Sequence, residues 1–229
     1  MRYDVILWDV DGTLLDFSYS QRLSISKCLE EIGVVPTEEM IESYSDINES
    51  WWKRLERCEV TKTELLTGRF LDLFARYGIV CEDAGTFKNH YETYLGEIFR
   101  YQDNSIEICR ALQGRVRQFV VTNGVTAPQL SKLKRAGFFE IMEDIFISEQ
   151  LGAPKPQKAF FDRVFERISD VERDRVLIVG DSLSSDIRGG NNAGIDTCWY
   201  NPKGESNSLG VITDYVIYDL KEVIKIAEG

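Results

Sequence analysis

Two aspartates separated by a single residue stand directly after the first apolar run of the chain. They are Asp9 and Asp11, within the stretch Asp9-Val10-Asp11-Gly12-Thr13. Alternation along an extended backbone places both carboxylates on the same side. Two anions this close repel each other and cost stability unless a cation binds them. Gly12 permits a tight turn afterwards. The pattern therefore favours a cation site over an acidic turn that caps a helix, because such a turn needs only one aspartate.

A second pair of aspartates follows a later apolar run. Asp181 and Asp186 lie directly after the run at 175–179. Together with the first pair they supply three or four oxygens for a hard cation. Mg²⁺ fits best, since it takes one or two carboxylates together with water and a substrate phosphate. The alternative role for Asp181, the N-cap of the next helix, is compatible with metal binding.

A threonine hydroxyl and a lysine could bind a phosphate beside these carboxylates. Thr122-Asn123-Gly124 ends a third apolar run, and a hydroxyl with backbone amides at a helix start can hold phosphate oxygens. The same tripeptide is also an ordinary turn. Lys155 lies between two prolines, which restrict the backbone on both sides. It is either a rigidly presented counter-charge for the carboxylates and phosphate or an exposed loop lysine.

The elements that must position these residues alternate between strands and helices. Apolar runs that are typical of buried parallel strands are found at 3–8, 116–121, 145–147, 175–179, 195–199 and 215–217. Helical patterns such as 130–136 and 160–168 separate them. This alternation predicts an α/β fold, a Rossmann-like parallel sheet with helices on both faces. Ligands bind such sheets at the carboxyl ends of the strands, where the polar residues described above fall.

The alternation of strands and helices is interrupted between the first and second strands, where no strand pattern is convincing. The sequence Thr61-Lys62-Thr63-Glu64 predicts a capping box that begins a helix ending at Gly78, with its inward face formed by Leu65, Leu66, Phe70, Leu73, Phe74 and Tyr77. An earlier helix is expected to place Leu23, Cys28, Leu29 and Ile32 on one face. We therefore predict an α/β core over 1–16 and 100–229, and a small all-helical cap domain over 17–99.

Composition narrows the possible partners and compartments. The chain has 229 residues and a net charge of −11, which disfavours nucleic acid as a partner. The five cysteines show no C-x-x-C spacing, so we expect reduced thiols and a cytoplasmic location. No signal peptide or membrane span is predicted. We expect a monomer or a weak homodimer.

The single histidine, His90, is expected on a helix surface, so catalysis should rest on carboxylates, hydroxyls or lysine.

The ordered motifs resemble those of the haloacid dehalogenase (HAD) superfamily. The resemblance rests on residues 9–13, Thr122, Lys155 and residues 180–186, and it extends to a helical cap inserted between the first and second motifs. It implies that Asp9 is a nucleophile that forms an aspartyl-phosphate, and that Asp11 first protonates the leaving oxygen and then activates water.

The resemblance also implies roles for the other motif residues. Thr122 and the Asn123 amide would bind the transferring phosphoryl group, and Lys155 would pair with Asp9 and the phosphate. Asp181 would bind Mg²⁺ together with Asp9 and the backbone carbonyl of Asp11, and Asp186 would orient that site from behind. The substrate would be a small phosphoester.

Several further stretches resemble the bacterial house-cleaning branch that dephosphorylates pyrimidine nucleoside monophosphates. They are residues 47–52, 67–70, 121–124 and 194–199. Trp51 or Trp52 could then stack on a base and Arg69 could reach a phosphate or sugar. Alternatively, the tryptophans form the interior of the cap and Arg69 lies on its surface.

Other functions stay open on the sequence alone. A phosphatase or phosphomutase for another small phosphoester, such as phosphoglycolate or a sugar phosphate, would share every core motif. A dehalogenase would not carry the acid at Asp11. A phosphonate hydrolase would need a lysine in the cap; Lys27 and Lys53 are available there, but no sequence feature singles out either one. From a different class, the chain could be a non-catalytic protein that binds a phosphometabolite.

Overall fold

The computed structural model describes residues 1–229 and divides into two compact units. The first contains Met1–Asp16 and Arg100–Gly229, and the second contains Phe17–Phe99. We call them the α/β unit and the helical unit and describe each by itself. No helix in either unit is both long and apolar enough to cross a membrane.

The α/β unit is built on six parallel strands in the order β3-β2-β1-β4-β5-β6. The strands are β1 (Val5–Trp8), β2 (Arg117–Thr122), β3 (Asp144–Ile147), β4 (Val176–Gly180), β5 (Asp196–Tyr200) and β6 (Tyr215–Ile217). The helices are α5 (Ser105–Leu112), α6 (Thr126–Arg135), α7 (Ser148–Leu151), α8 (Lys158–Arg167), α9 (Arg188–Ala193) and α10 (Glu222–Glu228). The predicted α/β class with a parallel sheet is confirmed.

Burial on both faces explains why the central strand β1 is apolar throughout. All four residues of β1 are fully buried, as expected for a central parallel strand that is covered on both sides. Val5 and Leu7 face a core that includes Phe160 and Phe161 of α8. On the other face, the Trp8 indole donates to Gln118.

The helical unit contains four helices around an aromatic core. They are α1 (Phe17–Glu31), α2 (Glu38–Glu56), α3 (Lys62–Tyr77) and α4 (Ala84–Glu97). Helix α3 begins with the predicted capping box of Thr61 and Glu64 and ends at Gly78, whose φ of 62° is left-handed. The core rings are in edge or stacked contact, with centroids 4.9–5.6 Å apart, and belong to Tyr44, Phe70, Phe74, Phe87 and Tyr91.

The prediction that Leu23 lies on the inner face of α1 is wrong. Leu23 is 38% exposed, whereas Cys28 and Leu29 are buried. At 3.6 residues per turn, Leu23 lies about 140° around the helix from Cys28, so it cannot share that face. Polar residues extend the face instead, among them Gln21 and Ser24. His90 lies exposed on α4, as expected, with its Nδ1 2.7 Å from Glu31.

Candidate active site

Strand register brings the predicted catalytic segments to one edge of the sheet. Trp8 of β1 pairs with Val120 of β2 and with Val179 of β4. The next residue, Asp9, is therefore level with the ends of both neighbours, and its backbone N–H donates to the Val179 carbonyl at 2.9 Å. The chain leaves β1 toward β2 and β3, then returns to the other side at β4. Such a switch in strand order opens a crevice at the carboxyl edge, where ligands bind.

Lys155 is buried among carboxylates, so the alternative of an exposed loop lysine is wrong. It is 2% exposed, and its Nζ donates to Asp9 Oδ1 at 2.7 Å, to Asp186 Oδ1 at 2.6 Å and to the Val121 carbonyl at 2.8 Å. An ammonium group has three hydrogens, and all three are used. Asn123 fixes the backbone of this lysine, because its amide side chain exchanges two 2.9 Å hydrogen bonds with Lys155 N and O.

Three carboxylates form a group that could hold a metal ion. Oxygens of Asp9, Asp181 and Asp186 lie within 4.8 Å of one another. Asp9 and Asp186 are buried, while Asp181 is exposed. Asp186 also accepts from the Ser182 N–H at 3.1 Å. The N-cap of the turn Leu183–Ile187 is Ser182, so the alternative role of Asp181 as a helix cap is wrong and its carboxylate faces the cluster.

Two glycines allow this close approach. A Cβ on Gly12, whose φ is +92°, would lie 2.4 Å from Asp181 Oδ2. A Cβ on Gly180 would lie 2.4 Å from Asp186 Cγ. Both distances are shorter than any van der Waals contact, so side chains at these positions would displace the carboxylates.

Crowding shifts the proton equilibria of this cluster. Burial first, and then the charge of Asp186, raises the pKa of Asp9 to about 7, although Lys155 opposes the shift. Desolvation and the charges of Asp9 and Asp186 raise the pKa of Asp181 well above its usual range. Asp181 keeps contact with solvent, so the two neighbouring carboxylate charges are the main cause of its raised pKa. Burial alone would lower the pKa of Lys155, but its two carboxylate partners raise it. The cluster is therefore short of positive charge.

Asp11 lies apart from that group. Its carboxylate contacts two side chains of α6, Gln129 and Lys132. Thr122, 1% exposed, accepts hydrogen bonds at its hydroxyl from the Gly124 N–H at 3.0 Å and from Gln129 at 3.1 Å. The sequence prediction missed Gln129 and Lys132. Their one signal is their three-residue spacing in the helix after Thr122, which puts both on one face.

Arg69 lies inside the helical unit, so the alternative of a surface position is wrong. It is 2% exposed, and its guanidinium lies 4.8 Å from the Phe70 ring centroid and 5.0 Å from that of Tyr91. Its Nη1 donates to Asn48 Oδ1 at 2.8 Å, and Asn48 in turn donates to Gln21 at 2.7 Å. Arg69 Nε is buried without a hydrogen-bond partner.

Trp51 and Trp52 differ in how closely neighbouring residues contact their rings. Trp51 donates from Nε1 to Asp72 at 2.7 Å, and the Arg54 guanidinium lies 4.1 Å from its ring centroid. A Cβ on Gly68 would lie 2.3 Å from the Trp51 ring, so α3 approaches α2 closely here. Trp52 is half-buried, with Lys62 Nζ 5.8 Å from its ring centroid.

Comparison with known proteins identifies the family. Residues 3–194 match the haloacid dehalogenase-like hydrolase family, so the chain belongs to that family and is a hydrolase. It is 36% identical to the HAD-hydrolase YfnB of Bacillus subtilis, covering 98% of this chain and 95% of YfnB. It is 33% identical to the pyrimidine 5'-nucleotidase PynA of Streptococcus pneumoniae, covering 98% and 94%. The crystal structure of B. subtilis YfnB bound to magnesium superposes with a TM-score of 0.94, at 36% identity and full coverage of both chains.

Proposed function

We propose that this protein is a magnesium-dependent phosphoric monoester hydrolase that acts through an aspartyl-phosphate on Asp9 and prefers pyrimidine nucleoside 5'-monophosphates. The observation that carries the proposal is the buried contact of Asp9 with Lys155 beside the carboxylates of Asp181 and Asp186. A carboxylate in this position can act as a nucleophile toward phosphorus, and the lysine can share the charge of the phosphoryl group.

The reaction takes two steps on the residues of the α/β unit. An oxygen of Asp9 attacks phosphorus while the bond to the leaving oxygen breaks, and Asp11 gives its proton to that oxygen. A water molecule then attacks the phosphorus of the aspartyl-phosphate, Asp11 takes up a proton from the water, and the bond to Asp9 breaks to release phosphate. Thr122 and the backbone amide of Asn123 hold the phosphoryl oxygens during both steps.

The donor set fits a magnesium ion. Three carboxylates face one lysine in the cluster, so one further positive centre is needed to balance them. Gly12 leaves room against Asp181 where any other residue would clash. Asp9, Asp181 and the backbone carbonyl of Asp11 would bind the ion, with Asp186 orienting the site. When bound, Mg²⁺ neutralises charge on the transferring phosphoryl group.

The preference for nucleotides rests on similarity and on the helical unit. PynA, named a pyrimidine 5'-nucleotidase, is 33% identical over nearly the whole chain. Arg69 adds a buried guanidinium that has an unused N–H, which can recognise a phosphate or sugar oxygen. We assign Arg69 and one of the two adjacent tryptophans, Trp51 or Trp52, to substrate recognition. The net charge of −11 fits a small phosphoester better than nucleic acid, and the free cysteines fit the cytoplasm.

Phosphate release from a panel of phosphoesters tests this proposal. With Mg²⁺ present, we expect UMP, dUMP and dTMP to be hydrolysed faster than purine monophosphates, phosphoglycolate or hexose phosphates. A preference for phosphoglycolate or a sugar phosphate would keep the catalytic residues and discard the assigned specificity. Failure to hydrolyse any member of the panel would favour the alternative of a non-catalytic binding protein.

Asp9→Asn is the variant that tests the nucleophile. We expect it to fold normally and to lose about 1,000-fold or more in turnover, since an amide cannot form the acyl-phosphate. Asp174→Asn, at an exposed position of the same unit, is the matched control and should change turnover less than about twofold. Near-normal turnover by Asp9→Asn would show that Asp9 is not the nucleophile.

A further inference from the structure

Helix α6 presents two buried polar side chains to the carboxylate of Asp11. Gln129 is 2% and Lys132 is 3% exposed, and their three-residue spacing puts them on one face of the helix. Lys132 Nζ forms an ion pair with Asp11 Oδ1, and Gln129 Nε2 donates to Asp11 Oδ2 at 2.5 Å. Each oxygen of the carboxylate therefore has its own donor, which fixes both the position and the rotation of the group.

Packing alone does not account for a lysine at this position. Burying an ammonium group costs solvation and rotamer entropy, while a methionine or leucine would fill the same face without either cost. The Lys132 side chain is 4% exposed and that of Asp11 is 26% exposed. The lysine is thus buried deeply to reach an aspartate that lies at the opening of the site.

Gln129 also determines the direction of the Thr122 hydroxyl proton. The Thr122 oxygen accepts from Gly124 N–H and from Gln129 Nε2. A hydroxyl has two acceptor lone pairs and one proton, so with both lone pairs engaged the proton is available to a third partner. A phosphoryl oxygen is the partner that the proposed reaction supplies.

The amide group of Gln129 is held in this orientation by its surroundings. A Cβ on Gly124 would lie 2.0 Å from Gln129 Nε2, so the amide lies directly against the loop that follows β2. Its Oε1 is buried without a hydrogen-bond partner, whereas its Nε2 serves two acceptors. Placing the nitrogen toward Asp11 and Thr122 is favourable, because the amide oxygen would face the Asp11 carboxylate, which only accepts, if the amide were reversed.

We propose that Lys132 and Gln129 are positioning residues for the reaction: Lys132 holds Asp11 where it exchanges protons with the leaving oxygen and with water, and Gln129 aligns both Asp11 and Thr122. The inference rests on the proposed phosphatase function. Neither residue touches the phosphorus or the attacking oxygen.

A double-mutant cycle tests whether Lys132 acts through Asp11. Steady-state hydrolysis of p-nitrophenyl phosphate with Mg²⁺ is measured for the full-length wild type, Lys132→Met, Asp11→Asn and the double variant. We expect Lys132→Met to lower kcat about 10- to 100-fold with little change in KM. In the Asp11→Asn background the same change should cost less than about twofold. Lys132→Arg, which keeps the charge, should recover part of the activity.

Two further variants sharpen the cycle. Gln129→Leu should lower kcat and keep part of its effect in the Asp11→Asn background, because its contact with Thr122 remains. It also carries the test if Lys132→Met does not fold. Lys134→Met, at an exposed position of the same helix, is the control and should change kcat less than about twofold.

The outcomes separate this inference from the function on which it rests. Equal losses from Lys132→Met in both backgrounds, together with a lowered melting temperature, would overturn the positioning role in favour of a structural one. Unchanged kcat in Lys132→Met would also overturn it. If the wild type hydrolyses neither p-nitrophenyl phosphate nor any panel phosphoester, the proposed function itself fails and the positioning role falls with it.

Discussion

The α/β unit and the helical unit bury uncompensated charges of opposite sign. In the α/β unit, the buried carboxylates of Asp9 and Asp186 share the single ammonium of Lys155, beside the exposed residue Asp181. In the helical unit, the guanidinium of Arg69 is bound by the neutral amide of Asn48 and by two aromatic rings, without a carboxylate. One unit thus carries an excess of buried negative charge and the other an uncompensated buried cation.

This contrast matches the two halves of a magnesium-requiring reaction on a phosphoester. Uncompensated buried charge is costly in a folded protein, and a ligand of the opposite sign removes that cost. In the proposed function, a divalent cation would complete the carboxylate cluster, and an anionic or polar oxygen of the substrate would complete Arg69. Substitution of a residue that serves a ligand in this way should change activity more than it lowers stability, and variants can separate the two effects.

The largest effect is expected where the charges of the α/β unit are paired. Lys155→Met leaves Asp9 and Asp186 buried without their partner, so we expect a loss of about 3–5 kcal/mol in the free energy of unfolding without Mg²⁺. Turnover should fall about 1,000-fold, since the phosphoryl charge is no longer balanced. Urea denaturation and phosphate release measure the two effects.

Lys158→Met is the matched control for that experiment. Lys158 lies three residues further along and pairs with Asp162 at the surface, with side-chain exposures of 62% and 40%. Its loss should cost less than about 1 kcal/mol and leave turnover unchanged. Equal destabilisation by the two lysine variants would contradict the argument that the buried cluster depends on Lys155.

Magnesium should stabilise the α/β unit by completing the cluster. At a concentration one hundred times its Kd, a ligand that binds only the folded state adds about 2.7 kcal/mol, so we expect the melting temperature to rise with Mg²⁺ and to return after chelation. Asp181→Asn removes one repelling charge. It should raise stability in the absence of magnesium and abolish the response to it.

The response to magnesium has a clear control and a clear contrary result. Asp174→Asn, at an exposed position of the same unit, should keep the full magnesium-dependent shift. A shift of the same size in Asp181→Asn would mean that the ion binds elsewhere, and the cluster would then have to be explained without a metal.

The contrast between the units also explains what the sequence can and cannot predict. In a parallel sheet, residues that follow the strands must meet at one edge, so polar residues after apolar runs are enough to identify Asp9, Thr122 and Asp181. The structure places these three on neighbouring strands or directly after them. Their position at the ends of strands follows from the local pattern, whereas strand order and register, which set the distances between them, come from the tertiary structure.

Helical positions lack that constraint. Arg69 stands next to Phe70 on an amphipathic helix, and the sequence does not show on which side of the apolar stripe an arginine lies. Leu23 shows the converse, an apolar residue that the helical period carries to the surface. Gln129 and Lys132 look like an ordinary polar helix face, and only the tertiary structure reveals that this face meets Asp11.

A smaller effect is expected from the buried cation of the helical unit. Arg69→Met removes a charge without a carboxylate partner but leaves Asn48 Oδ1 unpaired, which costs about 1–3 kcal/mol. Relief of the buried charge offsets part of that cost, so we expect stability to fall by less than about 2 kcal/mol. The KM for UMP should rise about tenfold or more. Steady-state kinetics and urea denaturation measure the two effects.

Arg69→Lys separates charge from geometry at the same position. Lysine keeps the positive charge but lacks the planar fork, so it should restore only part of the affinity for UMP. A loss of more than about 3 kcal/mol in Arg69→Met with an unchanged KM would instead mean that the arginine stabilises the helical unit alone.

The smallest expected effect distinguishes the two neighbouring tryptophans. Trp51 is occupied by Asp72, by Arg54 and by the close approach of Gly68, whereas the Trp52 ring faces the more distant ammonium of Lys62. Trp52→Leu should therefore raise the KM for UMP about fivefold, the lower end of what lost base stacking costs, with little change in melting temperature. Trp51→Leu should lower the melting temperature and leave KM nearly unchanged, because its ring serves the packing of α2 against α3.

Kinetics with UMP and with p-nitrophenyl phosphate, whose small ring makes a weaker stacking partner, provide the comparison. The reverse result, a raised KM only in Trp51→Leu, would assign base recognition to the ring that Arg54 covers and would require that arginine to move when substrate binds.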